Sequence, residues 1–402
     1  MKNILLLVLS RFFSSLYFSI PIQALFLIKK GVPFSHMMIL ETVLLITVLA
    51  FEIPTGILGD KIGRKWSLVC GSLFILLSWI PWFIASSTLG FLPAFILSGV
   101  GIAFCSGSDQ ALIYDQLKEI KKTSSMQKIM GYYYASMTVA TALAGILGGT
   151  LATSHSLSNF YLVYKLTVVA QILGLIVLLF VKEVSFSDRG DGIFHQDGKQ
   201  ESYLKSGITL LLQNRKLKRI ALISILTIPF SFVLIYIFQL YFRAATVPNQ
   251  WYGLAVFIAY ILSASSSIFV YKLEHFVGAY KAVFIACFLP AICWTLMSII
   301  FNPVLAVALF VVNTSSAQIR EPLFADYLNK QITSRYRATV LSTISMLGSL
   351  YSLIMRPIIG FLGDTDLRYS FILMAFLIFF GILILWRSSK NIFCETREEE
   401  YL

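Results

Sequence analysis

Charge is scarce in this chain: Asp, Glu, Lys and Arg together make up 13% of 402 residues, against 57% hydrophobic residues and a mean hydropathy of +0.80. That balance excludes a water-soluble globule built around one core and leaves an integral membrane protein. Cysteine is sparse too. Of the five, Cys70, Cys105, Cys287 and Cys293 fall inside apolar runs and Cys394 lies in a polar tail. They form neither a disulfide framework nor a metal-ligand spacing, so they read as small hydrophobes, and no metal or organic cofactor is expected. Nucleotide-cradling glycine loops are also missing, both G-x4-G-K-[ST] and a G-x-G-x-x-G following a strand.

Long apolar runs are what the chain has in abundance. A spanning helix needs ~20 mostly apolar residues, and the sequence divides into about twelve such segments, the first over about 4 to 28 and the fourth over about 91 to 114. The first is not read as a secretory signal, because it is long, carries Arg11, lacks a small-residue cleavage site and is followed by further spans. A net charge of +12 would suggest nucleic acid in a soluble protein, but here the distribution reads as topology, with no nucleic-acid partner. With the N-terminus inside, 24 of the 32 Lys and Arg fall in cytoplasmic segments and only Lys29, Lys30, Arg243 and Arg368 fall outside. Both termini of a multi-pass inner-membrane protein are therefore expected in the cytoplasm.

One long polar segment, residues 182–217, divides the spans six and six, giving an expected N-terminal bundle over 1–181, a linker, a C-terminal bundle over 218–388 and a tail over 389–402. A weak repeat joins the halves. Asp109-x5-Asp115-x-Leu117 recurs as Arg320-x5-Asp326-x-Leu328, and Glu274-His275-Phe276-Val277-Gly278 reads as a worn copy of Asp60-Lys61-Ile62-Gly63. Duplicated halves imply a path for solute along the axis relating them. Helices are required throughout, since lipid offers backbone N–H and C=O groups no partner.

Between the second and third runs lies Gly56-Ile57-Leu58-Gly59-Asp60-Lys61-Ile62-Gly63-Arg64-Lys65, an acid and three bases framed by glycine. This stretch matches G-x-L-x-D-x-x-G-R-K at every fixed position and resembles the loop between helices 2 and 3 of the major facilitator superfamily. The resemblance implies an all-α membrane fold of twelve transmembrane helices in two pseudo-symmetric six-helix bundles, acting as a carrier and not as an enzyme. It further implies a cytoplasmic gate, with Asp60 paired across a bundle contact and Arg64 paired with Asp115. Exporters of the superfamily often carry G-x8-G-x3-G-P-x2-G-G in helix 5. Here the pattern is Gly131-x8-Ala140-x3-Ala144-Gly145-x2-Gly148-Gly149, with two glycines replaced by alanine and Gly145 in place of proline. Gly145, Gly148 and Gly149 are expected to allow close helix packing.

Ionisable groups within spans cost several kcal/mol if they face lipid, roughly 2.5 to above 10, so each needs a cavity or a partner. Arg11, Glu52 and Asp109 lie at similar depth, roughly 9 to 12 Å from the cytoplasmic edge at 1.5 Å per residue. They read either as a proton-exchanging site, in which protonation and solute binding contest one cavity, or as fixed ion pairs between helices. Arg320 and Glu321 precede Pro322, and Arg356 precedes Pro357; Arg356 reads either as a binder of anionic solute groups or as an inter-helix partner. Gln23, Tyr236, Gln239, Tyr260, Asn313 and Gln318 add hydrogen-bonding groups suited to an amphipathic organic solute, or serve only packing. Three readings follow: proton-coupled efflux of drugs or metabolites by a monomer, import of an anionic or amphipathic nutrient by symport or uniport, and a non-transporting sensor on a carrier scaffold.

Overall fold

The computed structural model describes residues 2–154, 156–183, 208–227, 230–332 and 337–386, and among these there is no strand. Most of the expected linker and all of the expected tail lie outside the described residues. The first part of the chain forms α1 (Lys2–Ser14), α2 (Gln23–Lys29), α3 (Phe34–Ile62), α4 (Arg64–Leu77), α5 (Ile80–Ile84), α6 (Thr88–Cys105), α7 (Ser108–Glu119), α8 (Met126–Leu151) and α9 (Leu157–Leu179). The second part forms α10 (Arg215–Thr227), α11 (Phe230–Ala244), α12 (Gln250–Val277), α13 (Ala279–Ile299), α14 (Pro303–Lys330), α15 (Arg337–Thr365) and α16 (Leu367–Trp386). Eight helical stretches among the described residues are long and apolar enough to cross a membrane, and Ile20–Lys29, Pro303–Ala317 and Leu367–Leu383 are shorter apolar helices.

The α9 helix shows why these elements belong in lipid. It buries Val163, Tyr164, Thr167, Ala170, Gln171, Gly174 and Leu178 along one stripe, while Leu162, Val169, Leu173 and Ile176 are exposed. A helix that hides its few polar groups and is apolar on its outer face is stable only where the surroundings are apolar as well.

Three of the expected spans are interrupted among the described residues, the third by a turn at Ser78–Trp79 between α4 and α5. The first breaks after Ser14, turns through 15–19 and resumes with a 3-10 turn at Ile20–Ile22, where Pro21 lacks the N–H that a continuous helix would need. The fourth breaks at Ser106 and Gly107; Gly107 has φ +71, and a new helix begins at Ser108.

The chain forms two compact units. Among the described residues one comprises 2–183 with 248–261, and the other 208–247 with 262–386. In the first, α3 and α4 pack on α6, and α1 packs on α8 and α9. In the second, α13 packs on α14 and α16, and α10 on α15 and α16. The duplication is visible in the turns. Gly31 at φ +76 and Thr246 at φ +53 occupy equivalent places before Val-Pro, with Val32 N donating to Leu27 O (3.0 Å) and Val247 N to Phe242 O (2.9 Å). Gly63 and Gly278, at φ +106 and +82, likewise each precede a helix.

Candidate functional site

The first unit lines an open-mouthed cavity of about 590 Å³, and its wall brings together side chains far apart in sequence. Arg11 comes from α1, Asp109 from the first turn of α7, Tyr133 from α8, Gln171 from α9 and Tyr260 from α12. The Tyr133 hydroxyl donates to Asp109 Oδ2 at 3.1 Å, while Gln110 N donates to Asp109 Oδ1 at 2.7 Å. The Arg11 guanidinium lies 5.4 Å from the centre of the Tyr133 ring, and its Nη2 donates to the Met137 sulfur at 3.1 Å. Arg11 and Asp109 feel each other's charge without forming a direct ion pair. Tyr133 stands between them, bonding to the acid through its hydroxyl and facing the base with its π-cloud.

Glu52 does not line this cavity and is exposed on α3, so the structure brings together two of the three charges read as lying at one depth. Gln23 is half-buried at the start of α2 and also lies off the wall.

The apolar side chains of Ile4, Leu7, Leu68, Leu112, Ile113 and Leu178 form one cluster, and Leu7, Leu68 and Leu178 also line the cavity. The charged turn joins α3 to α4. Arg64 Nη2 meets Asp60 Oδ1 at 2.7 Å, both partly exposed. The resemblance implied an Arg64–Asp115 pair; instead the shorter reach across one turn favours Asp60, and Asp115 makes no ion pair among the described residues. Gly63 ends α3 and opens α4 in a conformation that L side chains rarely adopt. Lys65 N donates to Glu183 Oε2 at 2.9 Å and Lys65 Nζ to Leu179 O at 2.9 Å, so the end of α9 clamps the start of α4. Gly56 has open space where a Cβ would stand.

On α8, a Cβ at Gly145 would come 2.5 Å from Val256 Cγ1, one at Gly148 would collide with the Phe18 carbonyl, and one at Gly149 would collide with the Gly253 backbone. The worn glycine pattern thus permits close approach to the broken first span and to the start of α12.

In the second unit, Arg320 is 3% exposed and donates through Nη1 to Thr227 O at 3.0 Å and through Nη2 to Ser231 Oγ at 2.9 Å. The guanidinium thus ties a backbone carbonyl of α10 to a side-chain hydroxyl of α11. Arg356 is buried, with its guanidinium 5.8 Å from the Phe232 ring centre. Gln239 is fully buried and its Nε2 donates to Ile235 O at 3.0 Å; Tyr236 is buried nearby, and Asn313 Nδ2 lies 4.0 Å from the Met297 sulfur. The side chains of Glu321 and Gln318 lie outside the described residues.

Sequence reading passed over Tyr133, Met137, Gln171 and Glu183. A phenol, a thioether and an amide in apolar runs give no signal apart from the tertiary contact they make.

The model of the Major Facilitator Superfamily matches residues 5–355. The chain belongs to the Major Facilitator Superfamily. It is 24% identical over 373 residues to YxaM of Bacillus subtilis (strain 168), described as an uncharacterized MFS-type transporter, covering 90% of each chain. Among solved structures, the nucleoside transporter NupG superposes with a TM-score of 0.74 at 13% identity, covering 96% of this chain and 99% of that one. A bacterial homologue of the iron transporter ferroportin, in an inward-facing state, superposes with a TM-score of 0.71 at 11% identity, covering 97% and 99%. Identities this low show the fold alone. The protein is a multi-pass membrane transporter of the MFS type.

Proposed function

We propose that the protein is a proton-coupled secondary carrier that exports a small organic solute, a drug or metabolite, across the cytoplasmic membrane by alternating access, as a monomer with both termini inside and without nucleic acid or cofactor. The observation that carries this reading is the placement of Asp109, Tyr133 and Arg11 around one cavity. A carboxylate facing a solute-sized cavity can exchange a proton, and its change of charge alters how the cavity holds a solute. Export is supported by the close packing at Gly145, Gly148 and Gly149. Asp60, Gly63, Arg64, Lys65 and Asp115 act as a gate in this reading, and Asp60→Asn slows turnover more than it weakens binding. Glu52, Gln23, Arg320, Glu321, Arg356, Tyr236, Gln239 and Asn313 are retained as further cavity or coupling candidates.

Proteoliposomes carrying an imposed pH gradient test the proposal: a solute panel is screened for flux coupled to internal pH. Solute leaving the cytoplasmic face as protons enter supports it; unchanged proton-coupled flux in a well-expressed Asp109→Asn variant overturns the role of Asp109. One observation favours a second reading, symport of an anionic nutrient: the Arg11 guanidinium faces the cavity with no carboxylate bonded to it.

A further inference from the structure

Arg11 is poorly matched by its neighbours. A guanidinium carries five N–H donors and bonds carboxylates through a planar fork, yet here one Nη2 meets a thioether, the ring of Tyr133 faces the charge, and Nε is buried with no hydrogen-bond partner. Gln171, 6% exposed on the same wall, is in a similar state. Its Oε1 accepts from Trp79 Nε1 at 2.7 Å, and since an indole N–H can only donate, that bond fixes which end of the amide is oxygen. The amide nitrogen therefore points away from Trp79. It interacts with the Tyr17 hydroxyl but makes no hydrogen bond within 3.5 Å.

Both unpartnered polar atoms of residues on this wall are thus donors, and a buried donor left unmatched costs about 1–3 kcal/mol, more when charged. The wall also carries the Asp109 carboxylate and the Gln110 amide; most of the remainder is hydroxyl-bearing or apolar, including Ser10, Ser14, Tyr134, Ile75, Ile102 and Leu178. We propose that the solute is an organic carboxylate, whose oxygens take the place of the Met137 sulfur on Arg11 and reach the Gln171 amide while its apolar body lies against the aliphatic wall. Both donor atoms are covered in the present conformation. Met137 is the group that must yield, and a flexible, weakly accepting thioether does so at little cost.

Asp109 opposes a second carboxylate in the same cavity. Its carboxylate accepts from the Tyr133 hydroxyl and Gln110 N, and Arg11 is the one base among the residues lining the cavity. Asp109→Asn removes that opposing charge and is therefore expected to bind an anionic solute more tightly.

The inference rests on the cavity being the solute site of a carrier, and the test separates the two ideas. Thermal stabilisation of the purified full chain in detergent is measured with hexanoate, benzoate and 2-naphthoate, and with the primary amide and amine corresponding to each. The acids are expected to raise the unfolding temperature and the amines not to. Apparent affinity for the acids falls about tenfold or more in Arg11→Gln and in Gln171→Leu, the loss of about 1.4 kcal/mol or more. It falls likewise in Met137→Glu, which gives Arg11 an internal carboxylate and remains informative if removing Arg11 prevents folding. In Asp109→Asn it rises. Stabilisation by the amines, equal stabilisation by acids and amides, no stabilisation by any acid, or equal affinity in all variants overturns the proposal. Proton-coupled flux of amines or neutral solutes in proteoliposomes leaves the carrier reading standing without this one, and binding of acids without any flux does the reverse.

Discussion

Gly56 and Gly63 are both fixed positions of one motif, and the structure treats them differently. Gly63 has φ +106, and a Cβ there would stand 2.6 Å from Glu183 Oε2, whereas Gly56 lies in a helix with open space around it. Gly63→Ala is expected to cost about 1–3 kcal/mol through backbone strain and displacement of the Glu183 clamp. Gly56→Ala should stay within about 0.5 kcal/mol of the parent or gain slightly from helix propensity. Thermal unfolding in detergent compares them, and equal shifts would refute the distinction. Tyr133 supports a second prediction. Its hydroxyl bonds a carboxylate, an interaction worth about 1.5–3 kcal/mol, so Tyr133→Phe should slow proton-coupled flux by about tenfold with expression intact; flux equal to the parent would remove the phenol from the coupling site. Arg11 and Asp109 were legible because a charge inside an apolar run stands out by cost alone. Gln171 and Met137 were not, because neither is costly enough in an apolar run to demand explanation until a neighbour is known.

At the scale of elements, apolar runs mark where the chain crosses lipid but not where it stops being helical within the crossing. The break at 15–19 has mostly apolar residues on both sides, whereas at Ser106–Gly107 the apolar α6 gives way to an α7 that carries Asp109, Gln110 and Asp115 within the same expected span. Pro21 and Gly107 carry the information, yet proline and glycine elsewhere in this chain sit inside continuous helices, as Pro54, Pro93 and Pro357 do. The turns of the repeat offer a cleaner test. Gly31 sits in the left-handed region without strain, and its counterpart Thr246 holds φ +53 with a β-branched side chain. Thr246→Gly should therefore stabilise the chain, by up to about 1 kcal/mol once the added freedom of glycine in the unfolded state is subtracted. A lower unfolding temperature for that variant would show that the Thr246 side chain contributes more than its backbone costs.

For the whole molecule, the family was legible because one short turn must satisfy several constraints together: a glycine, Gly63, at positive φ, a paired acid and base, and bases where the chain meets water. Solute and direction were not legible, because they depend on groups that converge only after folding. Asp109 ties the two levels together. If its carboxylate carries the coupled proton, Asp109→Asn fixes the site in a neutral form, so the cavity can still load, change its accessible face and unload, but no longer in step with a proton. Exchange of labelled for unlabelled solute across proteoliposomes, which needs loading and reorientation alone, should persist within a few-fold of the parent. Accumulation against a solute gradient driven by an imposed pH difference should fall to background, because the site's charge, and with it the penalty of holding an uncompensated charge away from water, no longer changes with the proton. Loss of both activities would instead mark Asp109 as a structural member of the α1–α7–α8 contact, and retention of both would move coupling to another acid, with the exposed Glu52 the next to be replaced.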